Sequence, residues 1–346
     1  MKEGLGFNKN FSTITILKIV GVLGVLYLLW LISDIIGLLF ASFILASAIS
    51  PWVNYLHKLK IPRAIGVLII YLILFGFMAG IIYLIVPAII SESKELSNNL
   101  PRYINEVSGV FGSFKDYAEA HNLPINFQQT INNLTANMQG ATNGLINTVT
   151  GFFGGIFSCF LVLVITFYMI VEEESLQRRV WTLVSPKKQT RVLKIINDIQ
   201  QKIGLWFRGQ LLLCFIIFLL TYMSLLIFDV KYALILAIIA GLLEAIPYFG
   251  PTLSSVPAIF IALAQSPLLA LFILFVYIVI QTVENNILVP KIMQRAVGLD
   301  PIISIISLMI GFKLGGILGA LLAIPISTSL IVIIKDLFLN YEKKLS

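Results

Sequence analysis

The segment Glu244-Ala-Ile-Pro-Tyr-Phe-Gly-Pro251 stands between long apolar runs and decides how the rest of the chain is read. Its prolines and glycine interrupt helix hydrogen bonding, and its carboxylate is costly in lipid. Backbone that cannot bond to itself survives at membrane depth only when it is buried in protein or lines a wet cavity. An ionisable residue there marks a functional site. A second segment, Glu284-Asn-Asn-Ile-Leu-Val-Pro290, has the same make-up. Two such interruptions in one apolar chain point to a transporter's solute site.

Composition agrees. Hydrophobic residues make up 58% of the 346 and charged residues 12%, where soluble domains carry about a quarter charged. Mean hydropathy is +0.96, and several runs reach the roughly 20 apolar residues that cross a bilayer. The expected fold class is all-α, a polytopic transmembrane protein of seven or eight spans with broken or re-entrant helices in its last third. The net charge of +7 lies mainly in short loops, where it orients helices and is no nucleic-acid footprint. Cys159 and Cys214 sit in apolar runs and read as lone lipid- or core-facing thiols. The first run, Ile14 to Ile32, is too long for a signal-peptide core and has no cleavage site after it, so it is expected to stay as a span.

Residues 1–90 read as three spans: Ile14 to Ile32, Ile35 to Ile49 ended by Pro51, and Ala64 to Ile90. Residues 91–150 are too polar to cross and read as extracytoplasmic helical hairpins, broken at Pro101 and Pro124. A fourth span runs from Phe152 to Val171 within 151–171. Residues 172–208 form a basic, amphipathic region. Within Gln189 to Arg208, Val192, Ile195, Ile196, Ile199, Ile203 and Trp206 share one face, as in a helix lying in the interface plane or packed on the protein's own inner surface. Residues 209–346 form the C-terminal membrane domain, opening with spans Leu211 to Phe228 and Tyr232 to Pro247. Thr252 to Ala264 and Pro301 to Ile310 are short for spans and read as re-entrant halves or hairpin arms.

Lysine and arginine set the orientation. The Pro51–Arg63 loop carries three basic residues and no acid, and Glu172–Arg208 carries eight basic residues, so both are expected in the cytoplasm with the two termini.

Gln281, Glu284 and Asn285 follow helical spacing and are expected to project from one side, with Asn286 and Pro290 close by. With Glu244, Pro247, Gly250 and Pro251 they make up the candidate solute or ion pathway. Either acid also reads as a residue at a span's wet end. Gly311, Gly315, Gly319 and Ala323 recur every fourth residue and draw a small-residue stripe, a hinge surface or a static helix contact, with Gly315-Gly316 as a candidate break and Pro325 a further packing or hinge position. His57 and His121 have no companion at metal-ligand spacing, so no metal is expected. There is no phosphate loop, no nucleophile elbow and no zinc-protease motif. No cofactor and no enzyme activity are expected.

Taken in order, these residues resemble the autoinducer-2 exporter family of bacterial membrane proteins. The resemblance runs through Ser50-Pro51-Trp-Val, Ile61-Pro62-Arg63, Arg208-Gly209-Gln210, Gly241-Leu-Leu-Glu244 into Pro251, Glu284-Asn-Asn286, Pro290-Lys291-Ile-Met, Val297-Gly298-Leu299 and Gly316-Ile-Leu-Gly319 ahead of Pro325. Gln294 stands where the family usually has glycine, and Asp300 where histidine is frequent. The resemblance implies a multi-pass protein of the bacterial inner membrane, assembled as a ring-shaped homo-oligomer such as a pentamer. It moves a small polar solute, autoinducer-2 by the family's name, or exchanges sodium for protons as some relatives do. Its partners are then that solute or cation and membrane lipid, not nucleic acid. A non-transporting membrane scaffold is the alternative of another class.

Overall fold

A computed structural model describes residues 13–120, 156–173, 175, 178, 182, 184–247, 250–293 and 300–345. Every regular element among them is helical. The chain runs α1 (Thr13–Leu31), α2 (Ser33–Lys58), α3 (Arg63–Ala120), α4 (Ile156–Val171), α5 (Pro186–Ile227), α6 (Ala233–Leu243), α7 (Gly250–Gln265) and α8 (Pro267–Val283). A π-turn over Glu284–Leu288 then leads into α9 (Val289–Met293), and α10 (Pro301–Leu345) closes the chain. Among the described residues five helices are long and apolar enough to cross a membrane, and three shorter apolar ones lie among them. Leu72, Tyr83, Ile227 and Leu314 are each more than 70% exposed; on a chain this apolar such surfaces suit lipid or another copy of the chain.

Helix α5 is the hub. It packs on α2, α6, α8, α9 and α10, and so reaches both halves of the molecule. Its expected division into a surface helix ending at Arg208 and a span starting at Leu211 does not occur: one helix of 42 residues runs through both. Gly209 leaves that helix intact and lets Ile292 and Met293 sit within 3.1 Å of where its Cβ would be. The amphipathic face is explained by protein packing, since Ile203 and Trp206 are buried inside the bundle.

Pro51 does not end α2, which continues to Lys58. Proline removes one i to i−4 bond, here the one that would engage the Ser47 carbonyl. That carbonyl instead lies against α5 at Gly204, where an added Cβ would strike it. The next carbonyl, Ala48 O, accepts a hydrogen bond from Arg208 Nη1 at 3.0 Å. A neighbouring helix thus occupies the gap that the proline opens.

Pro101 is likewise no break. Helix α3 is continuous for 58 residues, about 87 Å at 1.5 Å per residue, or nearly three times the hydrocarbon core. The expected hairpin at this point is replaced by a continuous extension that docks back onto α6 and α7. Leu96, Tyr103 and Val107 are buried there with Tyr232 and Leu236. Asn99 Nδ2 donates to Tyr232 Oη at 3.1 Å, and Ile235 N–H, at the start of α6, donates to Glu92 Oε2 at 3.2 Å. Pro124 and the rest of 121–150 lie outside the described residues, as do Phe152, Tyr248, Phe249, Gln294 and Val297 to Leu299.

The small-residue stripe belongs to two helical arms. Gly315 and Gly316 leave helical geometry, with φ of Gly316 at +59°, a left-handed value that favours glycine. The chain reverses there, so that 301–314 and 317–345 pack side by side. Gly311 meets Gly319 backbone and Ala323 Cβ across the turn, and Ser327 Oγ donates to Ser307 Oγ at 2.7 Å. Pro301 to Ile310 is therefore one arm of a hairpin. Thr252 to Ala264 lies within α7, which pairs with α8 around Ser266 in a second hairpin.

Candidate functional site

Helix α6 is only 11 residues long and stops at Leu243. Glu244 and Ala245 turn, Ile246 bends, and α7 begins at Gly250. Gly250 makes this reversal possible, since an added Cβ would lie within 2.7 Å of the Leu243 carbonyl and Glu244 Cα. The turn drives Glu244 inward, leaving it 1% exposed.

The other segment behaves differently. The chain stays helical from Pro267 to Met293, but one turn widens, with Val289 N–H bonded to Glu284 O. A proline ring clashes with the carbonyl four residues back, here that of Asn286. Widening the turn by one residue relieves the clash, and π-bulges of this kind recur at functional sites. The expected break at Pro290 is thus a bulge. It turns Glu284 into the protein, 3% exposed.

Both carboxylates line one cavity of about 130 Å³, with Gln210 and Trp206 from α5, Pro247 from the α6–α7 turn and Ser304 from α10. Gln210 Nε2 donates to the Glu244 backbone carbonyl at 2.6 Å, tying α5 to the end of α6. Glu244 Oε2 and Glu284 Oε2 are buried with no hydrogen-bond partner. Among the described residues, no lysine, arginine or histidine lines the cavity. Two buried acids without a counter-charge are expensive; on insertion scales a charge at mid-membrane costs about 2.5–3.5 kcal/mol. Such a site suits a proton, a cation or a solute hydroxyl, each of which satisfies the open oxygens. Among the described residues there is no cluster of three or more histidine, cysteine or acidic side chains to hold a metal ion.

The remaining sequence candidates scatter. Asn285 lines the cavity. Gln281 does not share its side; its Nε2 reaches Thr252 Oγ1 on α7 at 3.4 Å. Asn286 is exposed and donates to Thr282 O at 2.9 Å, and Pro290 is exposed beyond the bulge. Pro251 lies in the first turn of α7. Gly311, Gly315, Gly316 and Gly319 build the α10 hairpin, and Pro325 is buried in its second arm, next to the cavity-lining Ile324. Gln210, Trp206 and Ser304 were not singled out as site residues. The available signal was a glutamine heading an apolar run, at Gln210-Leu-Leu-Leu213.

Comparison with known proteins supplies the context. A family model described as "AI-2E family transporter" matches residues 19–339. The Bacillus subtilis protein YrrI is 31% identical over 303 residues, covering 86% of this chain and 85% of that protein. YueF, also from B. subtilis, is 30% identical over 302 residues, covering 84% and 80%. The "AI-2 transport protein TqsA" of Escherichia coli is 25% identical over 326 residues, 92% of each chain.

Proposed function

Since the chain belongs to the AI-2E family of transporters, a transporter family and not an enzyme family, we propose that it exports a small polar solute by a secondary mechanism through the Glu244–Glu284 cavity. One observation carries this reading: two buried carboxylates, each with an open oxygen, face one cavity between a broken helix and a bulged one. Autoinducer-2 is the solute to test first, by analogy with the name of the E. coli relative. A polyhydroxylated molecule would offer its hydroxyls to the two acids and to Asn285. The resident proton or cation would leave as the solute enters, which couples the two fluxes. Gln210 positions the Glu244 backbone, and the Gly315–Gly316 turn of α10 is the hinge we assign to the moving wall.

Among the described residues no basic side chain lines the cavity, which also favours a second reading, sodium/proton antiport at the same acids. In either reading the protein is a multi-pass membrane protein. By the distribution of lysine and arginine, we place both termini and residues 172–208 in the cytoplasm of a bacterial inner membrane, and the α3 extension outside. The family resemblance suggests a ring of copies, a pentamer. The deciding experiment is reconstitution into liposomes, with autoinducer-2 flux and sodium flux followed with and without a pH gradient. Solute-coupled flux supports export, and sodium-coupled proton flux without solute supports antiport. Neither flux, from correctly inserted protein, leaves the scaffold reading and sinks both others.

A further inference from the structure

Helix α5 carries a second polar stripe that the central cavity does not use. Asn197, Gln201, Gly204 and Arg208 recur at steps of three and four, so they share one face, and that face meets α2 at the Gly204–Ser47 contact. Trp206 and Gln210, from the same turns, face the other way into the acid-lined cavity. Beside the Gly204 contact opens a cavity of about 200 Å³, lined by Ser47, Ser50 and Asn54 of α2 and Asn197, Gln201 and Arg208 of α5.

The chemistry of this cavity is opposite to that of the first. Its acid, Glu173, is already engaged by Arg63 Nη1 at 2.8 Å. Arg208 gives one N–H to Ala48 O, and among the described residues no carboxylate pairs with it. A guanidinium carries five N–H donors in a rigid fork, so most of its fork is left for another acceptor. Gln200 Nε2 contacts Ser50 Oγ at 3.4 Å, a long bond that leaves the hydroxyl able to donate. Arg63, Glu173 and Arg208 together leave one positive charge beside a wall of amides and hydroxyls. A clamp on Ala48 O alone needs neither the room nor that wall.

We propose that the α2–α5 cavity binds a small phosphate-type oxyanion, with the Arg208 fork as its anchor and the amides of Asn54 and Gln201 around it. A forked, charge-assisted pair is the strongest hydrogen-bonded recognition available to arginine and matches phosphate geometry. A soluble phosphate ester and an anionic lipid headgroup present this same chemistry.

The test uses the full-length chain purified in detergent. Its thermal unfolding midpoint is followed against inorganic phosphate and sn-glycerol 3-phosphate, with potassium chloride at matched ionic strength as control. A parallel arm compares micelles containing phosphatidylglycerol with micelles containing phosphatidylcholine. We expect a saturable rise in the midpoint that chloride does not give. Gln201 is exposed, so Gln201→Glu leaves the fold in place while setting a negative charge against the anion, and weakens binding about tenfold or more. Arg208→Lys keeps the charge, loses the fork and weakens binding to a lesser degree. A response to the soluble phosphates identifies a soluble ligand; a response to phosphatidylglycerol alone identifies a lipid headgroup. Absence of any saturable response, or a response unchanged in Gln201→Glu, overturns the proposal.

Discussion

The segments around Glu244 and Glu284 are alike as text and different as structure. Each begins with an acid and has a proline downstream, yet one reverses the chain and the other only widens a helical turn. The spacing and the glycine account for the difference. Pro247 comes three residues after its acid and is followed by Gly250, whose bare Cα tolerates contact with Leu243 and Glu244. Pro290 comes six residues after its acid with no glycine between, so one added residue in the turn is enough to accommodate the ring. Both solutions bury a carboxylate in the same cavity. A true break leaves backbone groups for other partners, and Gln210 takes one of them at 2.6 Å. A bulge keeps the chain helical, with Val289 N–H bonded to Glu284 O.

The comparison breaks most severely at Gly250. Gly250→Val sets a branched side chain against the Leu243 carbonyl; overpacking of this kind costs about 1–3 kcal/mol or more. We expect loss of a monodisperse species in size-exclusion chromatography and loss of flux. Normal assembly of this variant would mean that the α6–α7 turn is looser than described. Next come the acids themselves. Glu244→Gln and Glu284→Gln remove a buried charge and keep the shape, so both should insert, assemble and hold or gain thermal stability. Flux should fall by about tenfold or more, the scale on which positioned proton-transfer groups act, and the remaining flux should lose its dependence on pH. If one variant keeps wild-type flux and pH response, its acid is no part of the mechanism, and the two segments are then functionally unequal.

Much of this was legible in the sequence, and what was not has a common cause. Composition and apolar run length revealed the membrane class, and the price of charge in lipid singled out Glu244 and Glu284 without any alignment. Prolines were the main source of error. Pro51 and Pro101 lie inside helices because the consequence of a missing N–H is decided elsewhere, by α5 at Ser47 and Ala48 in the first case. The four-residue spacing of Gly311, Gly315, Gly319 and Ala323 fits one helix face and also two arms around a turn. Only the backbone of Gly316 separates these. Gln210 is legible in the sequence only as part of the Arg208-Gly209-Gln210 motif, because its role at the site depends on a carbonyl 34 residues away.

A finer probe of the contrast is Pro290→Ala. Alanine restores an N–H and removes the ring clash, so the reason for the π-turn disappears and the helix is free to close to α geometry. Alanine is also favoured over proline in a helix by about 3 kcal/mol, so stability should hold or rise. Closing the turn moves Glu284 out of register with Glu244, and flux should drop several-fold although the substituted residue is exposed. Unchanged flux would show that the bulge persists without its proline, held by packing on α5. A cysteine at 284 separates the cases, since its labelling rate rises if the turn closes and position 284 rotates toward the surface.

The smallest effect belongs to Asn286, two residues from Glu284 and similar in polarity to the cavity-lining Asn285. Its amide donates to Thr282 O at 2.9 Å on an exposed face, and surface substitutions away from special features usually stay within about 0.5 kcal/mol. Asn286→Ala should therefore leave the unfolding midpoint and the flux close to wild type. Asn285→Ala should reduce flux through lost contact with the solute, at equal stability. The two variants differ by one position in one bulged turn, so expression and insertion are closely matched between them. Equal loss in both would mean that the turn acts as a unit, through its geometry. Loss confined to Asn285→Ala would show that facing the cavity is what matters, and that the second segment contributes side chains where the first contributes a break.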